Sequence, residues 1–449
     1  MSAPNFIIFL TDDQGYGDLS CMGCADFRTP RLDRMARDGA RFTDWYSNSP
    51  VCSPSRAALL TGRYPGNAGV RSILAGHRTA SGLPQSTPTL ATQLKQLDYQ
   101  TYMTGKWHLG LAESSRPHQH GFDRWYGFMA GCIDYYSHIF YWGMNNPGPG
   151  INPTHDLWED GVEQWQDGEY FTEMITAKAL AYLRDAAKED RPFFLYVPFC
   201  IPHAELTVPE DSIEPYLKLG WPEKPRIEGV GNTGGGKDAG YGSQYKRGYC
   251  GQSHPHAAYA GMISRMDRSV GRILDLLEEL QLSEKTLVFF SSDNGPSDEG
   301  GQTLRFFNSS GPLSGHKRSM HEGGLRVPTI ARWKGRIKPG SVSDHPSAFW
   351  DFLPTACEVA GIEVPHKIDG LSFLPELLGK AEEQRKHKYL YWPWALRVGK
   401  WKLHPRGKDR YALFDLENDI GEKHDVASQH PELVSRYVKY FKDARQPLK

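Results

Sequence analysis

The chain has 449 residues, 39% of them hydrophobic, which is enough for a buried core of ordinary size and for two domains. Its 52 Lys and Arg balance 53 Asp and Glu. No global charge draws it to nucleic acid or to an anionic membrane, so any anion it binds must be gripped by a local cluster. The 46 Gly and 31 Pro, with 12% aromatic residues, exclude a disordered, collagen-like or coiled-coil chain and point to a compact fold with many loops.

In chain order, the first apolar run is Phe6-Ile7-Ile8-Phe9-Leu10. At about five residues it is too short for a membrane span or a secretion leader. A mature exported chain would read the same, so location stays open between the cytoplasm and a periplasmic or secreted site. The run predicts a strand covered on both faces that delivers Thr11-Asp12-Asp13 at its carboxyl end. Cys21 and Cys24 form a C-x-x-C with no second pair to complete a metal site. The seven cysteines, an odd number, read as buried thiols, or one local disulfide if the chain is exported.

Ser53 reads as an N-cap, Pro54 as the first helical residue and Gly62 as the stop of a short helix that starts just after Cys52. Leu90, Leu94 and Leu97 then predict a helix. The strand Thr101–Thr104 delivers Gly105-Lys106-Trp107-His108, helical period occupies 171–188, and the strand Phe193–Val197 precedes Pro202-His203. Residues 211–256 are rich in Gly and Pro and read as a long loop or substrate rim. The clearest helix runs over 257–280, with Met262 and Met266 on its core face, and leads into the strand Thr286–Phe290, which delivers Asp293-Asn294. After about residue 330 come a helix at 347–360 and short strands at 395–398, 401–403 and 411–416. This alternation predicts an α/β fold with a large, mostly parallel central sheet flanked by helices over 1–335. A smaller antiparallel sheet and helix are expected over 336–449, and the ligand site is expected beyond the carboxyl ends of the central strands.

Two constellations carry chemistry. Asp12, Asp13, Asp293 and Asn294 form an all-oxygen set suited to Ca²⁺ or Mg²⁺, although acids at strand ends also cap helices and bind water. Cys52 at a helix start, with Arg56 in the first turn, reads as a nucleophile beside an anion site or as a cysteine that merely packs.

Cys52-Ser53-Pro54-Ser55-Arg56 resembles the C-x-P-S-R signature of the sulfatase family, in which the cysteine is oxidised to formylglycine after translation. Further family-like segments follow in the family's order: Asp12–Leu19, Gly105–Gly110, Ser292–Gly295, Gly315-His316-Lys317 with Glu322–Pro328, and Gly399–Leu403 with Leu413–Asp419. The resemblance covers nearly the whole chain and implies the alkaline-phosphatase-like fold. It also implies a divalent cation, usually Ca²⁺, held by Asp12, Asp13, Asp293 and Asn294. Residue 52 would be a hydrated aldehyde nucleophile (3-oxoalanine), with Arg56 on the gem-diol and Ser55 supporting the motif. Lys106 and Lys317 would contact sulfate and leaving-group oxygens, with His108 at the gem-diol and His203 at the bridging oxygen. A formylglycine-generating enzyme is the implied maturation partner, and a sulfated saccharide or aryl sulfate the implied substrate.

Departures and other readings belong beside that one. Glu205 stands where the family often has proline. Singly, His203 would be an ordinary loop histidine and Lys317-Arg318 a solvated pair. His254 and His256 are expected not to be catalytic, and Asp267 and Arg268 to be exposed or helix-supporting charges. Arg71, His77, Trp392, Trp394 and His404 are candidates to approach the pocket. A phosphoric or phosphonic ester hydrolase of the same superfamily and a non-enzymatic sulfated-glycan binder remain alternatives, and subunit number is not legible.

Overall fold

The computed structural model describes residues 3–140, 154–226 and 249–445. Its centre is a ten-stranded sheet. Five adjacent strands are parallel, in the spatial order Thr286–Ser292, Asn5–Thr11, Phe193–Pro198, Gln100–Lys106, Arg124–Phe128. Antiparallel strands extend both edges: Thr329–Arg332 beside Thr286–Ser292, and Trp158–Glu159 beside Arg124–Phe128. Phe6 to Leu10 are wholly buried, as a continuous apolar run predicts for a strand covered on both faces. Two groups of mutually packed helices provide that cover. One contains Pro30–Arg37, Phe171–Ala186, Glu210–Leu217 and Pro255–Glu279; the other contains Cys52–Thr61, Leu90–Leu94 and Phe352–Ala360.

The parallel register decides where the polar residues go. Thr11 pairs with Ser292 and Leu10 with Pro198, so the first residues past these strands emerge side by side. Gly105 lets the next strand close up: its φ is 138°, and a Cβ there would lie 2.0 Å from the Pro198 carbonyl oxygen.

A separate four-stranded antiparallel sheet comprises Leu390–Trp392, Ala395–Val398, Trp401–Pro405 and Tyr411–Asp415. The helix Pro431–Ala444 seals it by setting Tyr437 and Phe441 against Leu396, Leu403 and Leu413. Ser341–Ser343 and Phe352–Ala360, both beyond residue 335, pack with the large sheet's core rather than with this one.

Several expectations need correction. The helix at the signature begins at Cys52 itself, and Ser53 does not cap it, since its hydroxyl accepts the Leu74 N–H at 3.1 Å. Gly62 ends that helix in the left-handed region, as expected. Of the two readings of Asp267, helix support holds and exposure does not: it is buried and accepts the N–H groups of Arg31 and Leu32 at 3.1 and 2.8 Å at the start of a neighbouring helix. The 211–256 stretch opens as the helix Glu210–Leu217, and its Gly234-Gly235-Gly236 and Tyr241-Gly242-Ser243 lie outside the described residues. No disulfide joins the cysteines, in line with the buried-thiol reading; burial pushes Cys21 up to about 12 and Cys24 to about 11, the opposite of a reactive pair. No helix among the described residues is long and apolar enough to cross a membrane.

Candidate active site

Four strand ends and one helix start meet in one buried cluster. Asp12 and Asp13 follow Asn5–Thr11, Asp293 and Asn294 follow Thr286–Ser292, Lys106 ends Gln100–Lys106 with His108 just past it, and His203 lies in the turn after Phe193–Pro198. The helix Cys52–Thr61 brings Cys52 and Arg56 against them. Backbone hydrogen bonds lock the strand ends together: Asp12 N–H to Ile201 at 3.2 Å and Asp293 N–H to Thr11 at 3.0 Å. Asp13 and His108 both sit at positive φ, 65° and 52°, where the chain turns to present them.

The Cys52 Sγ lies 3.5 Å from Asp12 Oδ1. Arg56 is wholly buried; its Nε and Nη2 reach Asp293 Oδ2 at 2.9 and 2.7 Å, and its Nη1 donates to the Lys106 carbonyl at 3.1 Å. Lys106 Nζ donates to Asp12 Oδ2. Lys317 Nζ donates to Asp13 Oδ2 at 2.6 Å and contacts Glu299 Oε2 at 3.4 Å. His203 Nε2 stands 3.6 Å from Asp13 Oδ2. Asn294 Nδ2 donates to Asp13 Oδ1 at 2.8 Å, while its own Oδ1 is buried without a partner among the described residues. One donor atom each from Asp12, Asp13, Cys52 and His203 falls within 4.8 Å of the others.

Charge is balanced locally. Asp12, Asp13, Asp293 and Glu299 face Arg56, Lys106, Lys317 and Arg318, four against four. Burial opposes ionisation of Asp13, but the Lys317 ammonium and the Asn294 amide hold its carboxyl below the ordinary range. Burial and the neighbouring Asp12 push Asp293 up to about 6. Burial works against the Lys317 ammonium too, yet Asp13 holds it well above its usual value. His203 is pushed down to about 3 by burial and Lys317, and His108 well down by burial, Lys106 and Arg56, so both imidazoles are neutral. His108 Nε2 meets the Leu74 carbonyl at 3.4 Å while Nδ1 is buried without a partner, which leaves a lone pair on Nδ1. Burial, then Asp12, raise the Cys52 thiol far above the ordinary range, so the unmodified sulfur is held as an unreactive thiol.

The donor set fits a hard divalent cation. Carboxylate oxygens of Asp12 and Asp13 and the orphaned Asn294 Oδ1 are buried together, and the ammonium groups on the carboxylates supply the positive charge that an ion would replace. Asp293 is engaged mainly by Arg56.

All ten residues singled out for chemistry are thus buried in or beside this cluster. Lys317 is not a solvated lysine, its side chain being 3% exposed. Glu299, which braces both Lys317 and Arg318, was missed, and no sequence pattern around it gives it away. Trp392 and His404 are corrections: Trp392 is wholly buried, packs on Tyr46 and Trp350 and donates to the Ser47 carbonyl, and His404 pairs with Glu422. Neither offers a face to a ligand. His256 is likewise structural, held between the Pro222 carbonyl and Thr303, and His254 is exposed at a helix start.

Comparison with known proteins agrees with this geometry. Residues 4–362 match the sulfatase family model, and residues 315–445 match the model described as N-sulphoglucosamine sulphohydrolase, C-terminal. The N-acetylgalactosamine-6-sulfatase of Canis lupus familiaris is 33% identical over 89% of this chain and 71% of its own length. Arylsulfatase A of Homo sapiens is 32% identical over 89% of this chain and 74% of its own. The crystal structure of Ps i-CgsB in complex with k-i-k-neocarrahexaose superposes with a TM-score of 0.81 at 28% identity, covering 99% of this chain and 94% of that one. On the span of the family match and the identity to these enzymes, the chain belongs to the sulfatase family.

Proposed function

We propose that this protein hydrolyses sulfate esters, releasing inorganic sulfate, with residue 52 matured from cysteine to formylglycine and acting as its gem-diol. The observation that carries the reading is the buried meeting of Cys52 Sγ with Asp12, 3.5 Å away, inside a ring formed by Arg56, Lys106 and Lys317. A sulfate monoester is a tetrahedral monoanion whose S–O bond breaks only if charge on the departing oxygen is neutralised. Two buried ammonium groups and a guanidinium supply that field. The Cys52 sulfur marks where the gem-diol oxygens stand, and an electrophilic carbon there makes a nucleophile that the held-down thiol cannot be.

Asp12, Asp13, Asp293 and Asn294 would hold Ca²⁺, or Mg²⁺, which when bound polarises sulfate oxygens and favours ionisation of the neighbouring hydroxyl. Lys106 and Lys317, now paired with Asp12 and Asp13, are the groups that bind the sulfate oxygens and the leaving oxygen. Lys317 is protonated and faces the departing oxygen, while neutral His203, whose Nδ1 donates to the Ala204 carbonyl, keeps Nε2 as a lone pair that can accept from the Lys317 ammonium. One gem-diol hydroxyl attacks sulfur as it gives up its proton, the S–O bond to the leaving oxygen breaks, Lys317 donates a proton to that oxygen and recovers the one released by the attacking hydroxyl, and the alcohol leaves with a sulfate hemiester remaining on residue 52. His108, neutral with a free Nδ1, then accepts the proton of the second hydroxyl; the carbonyl re-forms and sulfate departs by C–O cleavage. Arg56 holds residue 52 and Asp293 in register throughout.

The substrate we propose is a sulfated carbohydrate, supported by the identity to an N-acetylgalactosamine-6-sulfatase and the likeness to a structure containing neocarrahexaose. Two measurements test the reading. The peptide bearing residue 52 should lose about 18 Da as the free aldehyde and react with a hydrazide probe. Matched sulfate and phosphate esters should differ in kcat/KM in favour of sulfate; an unreactive thiol at residue 52 in active enzyme, or preference for the phosphate, overturns it.

A further inference from the structure

A second cluster, apart from the catalytic groups, has the chemistry of a transition-metal site. His138, His155 and Asp167 each place one donor atom within 4.8 Å of the other two. His138 is wholly buried and the side chain of His155 is 4% exposed. On each ring one nitrogen is already committed to an acceptor: His138 Nε2 meets the Glu169 carbonyl at 3.1 Å, and His155 Nδ1 meets Glu163 Oε1 at 3.0 Å. The remaining nitrogens, His138 Nδ1 and His155 Nε2, are buried with no hydrogen-bond partner among the described residues.

Those two facts belong together. An acceptor on one ring nitrogen fixes the proton there and leaves the other as a lone pair, and a carbonyl or carboxylate behind each imidazole is how metal-bound histidines are oriented. Two unpartnered lone pairs inside a protein are costly unless something accepts them. Arg78 also pairs with Glu163, holding the carboxylate behind His155, and His155 is fixed from the side by Trp165, stacked at 3.8 Å.

We propose that His138 Nδ1, His155 Nε2 and the Asp167 carboxylate bind one Zn²⁺ ion. Two imidazoles and a single carboxylate are a borderline donor set that favours Zn²⁺ over the hard Ca²⁺ or Mg²⁺ of the catalytic cluster, with a fourth position left to water. Ligand atoms about 3.3 Å apart are needed for tetrahedral Zn²⁺, so the cluster must contract. Asp167 is exposed, which lets its carboxylate supply its share of that movement, and the two imidazoles supply the rest. The ion would tie the segment carrying His138 to the hairpin Trp158–Glu163 that begins just past His155. Three residues before His138, Tyr135 donates to the carbonyls of Cys200 and His203 at 2.9 Å each, so the brace lies one segment away from the catalytic histidine turn.

The test uses the full chain in excess Ca²⁺, with Zn²⁺ uptake measured by equilibrium dialysis and Co²⁺ as a spectroscopic probe. The expected result is one Co²⁺ per chain with visible d–d bands of nitrogen and oxygen ligation. Asp167→Asn and His155→Gln each weaken uptake at least tenfold, and Glu163→Gln weakens it by about 10–100-fold. Asp167 is on the surface, so its variant decides the matter alone if His155→Gln does not fold. Absence of uptake by the unmodified protein at millimolar ion, or uptake unchanged in Asp167→Asn, overturns the assignment. So does a thiolate charge-transfer band that disappears in Cys52→Ser, which would put the ion in the catalytic cluster.

Discussion

Replacing Lys402 with Met tests whether the small sheet holds Lys317, the proposed catalytic lysine, in place. Lys402 is wholly buried, and its Nζ reaches Glu322 Oε1 at 2.7 Å and Glu422 Oε1 at 3.2 Å. Glu322 opens the short helix Glu322–Leu325 five residues after Lys317, and its N–H is accepted by Glu422 Oε2 at 2.6 Å. The Gly323 N–H closes the intervening loop onto Ser314 at 2.7 Å. Two buried carboxylates would therefore lose their shared cation. Glu322 would keep Tyr46 at 2.6 Å and Arg326 at 3.3 Å, and Glu422 would keep His404 at 3.0 Å, so the loss is that of one broken buried network, about 3–5 kcal/mol. That is a hundredfold or more, about, in the unfolded population. The loss should be largest near pH 7. Burial opposes ionisation of Glu422 and Lys402 is the main force holding it low, so without Lys402 the carboxyl takes a proton at higher pH, and the gap between variant and parent narrows as pH falls toward about 4. Urea denaturation followed by Trp fluorescence at pH 7 and pH 4.5 reads both effects. In the folded variant a displaced Lys317 loop should lower kcat by about tenfold to a hundredfold, since misplacement near 1 Å is felt on that scale. A stability loss under about 1 kcal/mol at pH 7, or unchanged kcat, would refute the claim that this network positions Lys317.

Other expected outcomes are more direct. Cys52→Ser cannot form an aldehyde hydrate, so it should lose multiple turnover and retain at most one trapped sulfate per chain; intact-mass analysis after a substrate pulse checks this, and sustained turnover would contradict the proposed release step. Asp12→Ala removes an acceptor of Lys106 and a proposed cation ligand, and should lose bound Ca²⁺ and activity together by about 10³-fold or more in kcat; activity that survives chelation in the parent enzyme would contradict the cation assignment. Arg56→Lys keeps the charge but cannot span Asp293 and the Lys106 carbonyl at once, and should lower kcat about 10²-fold with a smaller change in KM. His120 is buried against Trp107 and pushed down to about 4 by burial, below the ordinary value near 6.5. Between those values the unfolded chain binds a proton that the folded one does not, so stability should fall as pH drops through this window, by about 3 kcal/mol at most. His120→Phe should flatten that limb in urea titrations at pH 7 and pH 4.5, and an unchanged slope would show that another group dominates.

The sequence made the catalytic centre legible because its residues sit where regular structure stops. Buried parallel strands are continuous apolar runs, and the polar residues after Leu10, Met103 and Phe290 mark three carboxyl ends without any knowledge of pairing, while Phe193–Pro198 runs on through Phe199, Cys200 and Ile201 before His203. Once the strands lie parallel and adjacent, Asp12, Asp13, Asp293, Asn294, Lys106 and His203 have little choice but to converge. What was not legible depends on contacts between distant segments with no periodic signature. The strands Ala40–Phe42 and Thr329–Arg332 are three and four residues long, too short for period to register, and form because each is paired on both sides within the sheet. Trp392 and His404 looked like pocket residues because an aromatic ring and an imidazole suit ligands and cores equally, and only burial against Tyr46, Trp350 and Glu422 separates the two uses.

Glu299 shows the same limit inside the site itself. Its carboxylate faces Lys317 at 3.4 Å and Arg318 at 2.9 Å, and those two cations, set against burial, hold it below the ordinary range. It therefore shares with Asp13 the task of holding the Lys317 ammonium before substrate arrives. A sulfate that enters must draw Lys317 from two carboxylates rather than one, so part of the attraction between lysine and sulfate is offset by the loss of those pairs. Glu299→Gln keeps the shape and the acceptor oxygen but removes one competing charge. It should lower KM for the sulfate ester severalfold while lowering kcat, because a lysine held less firmly binds the ground state more readily and is less well placed for the departing oxygen. A variant with both constants unchanged would show that Glu299 serves Arg318 alone.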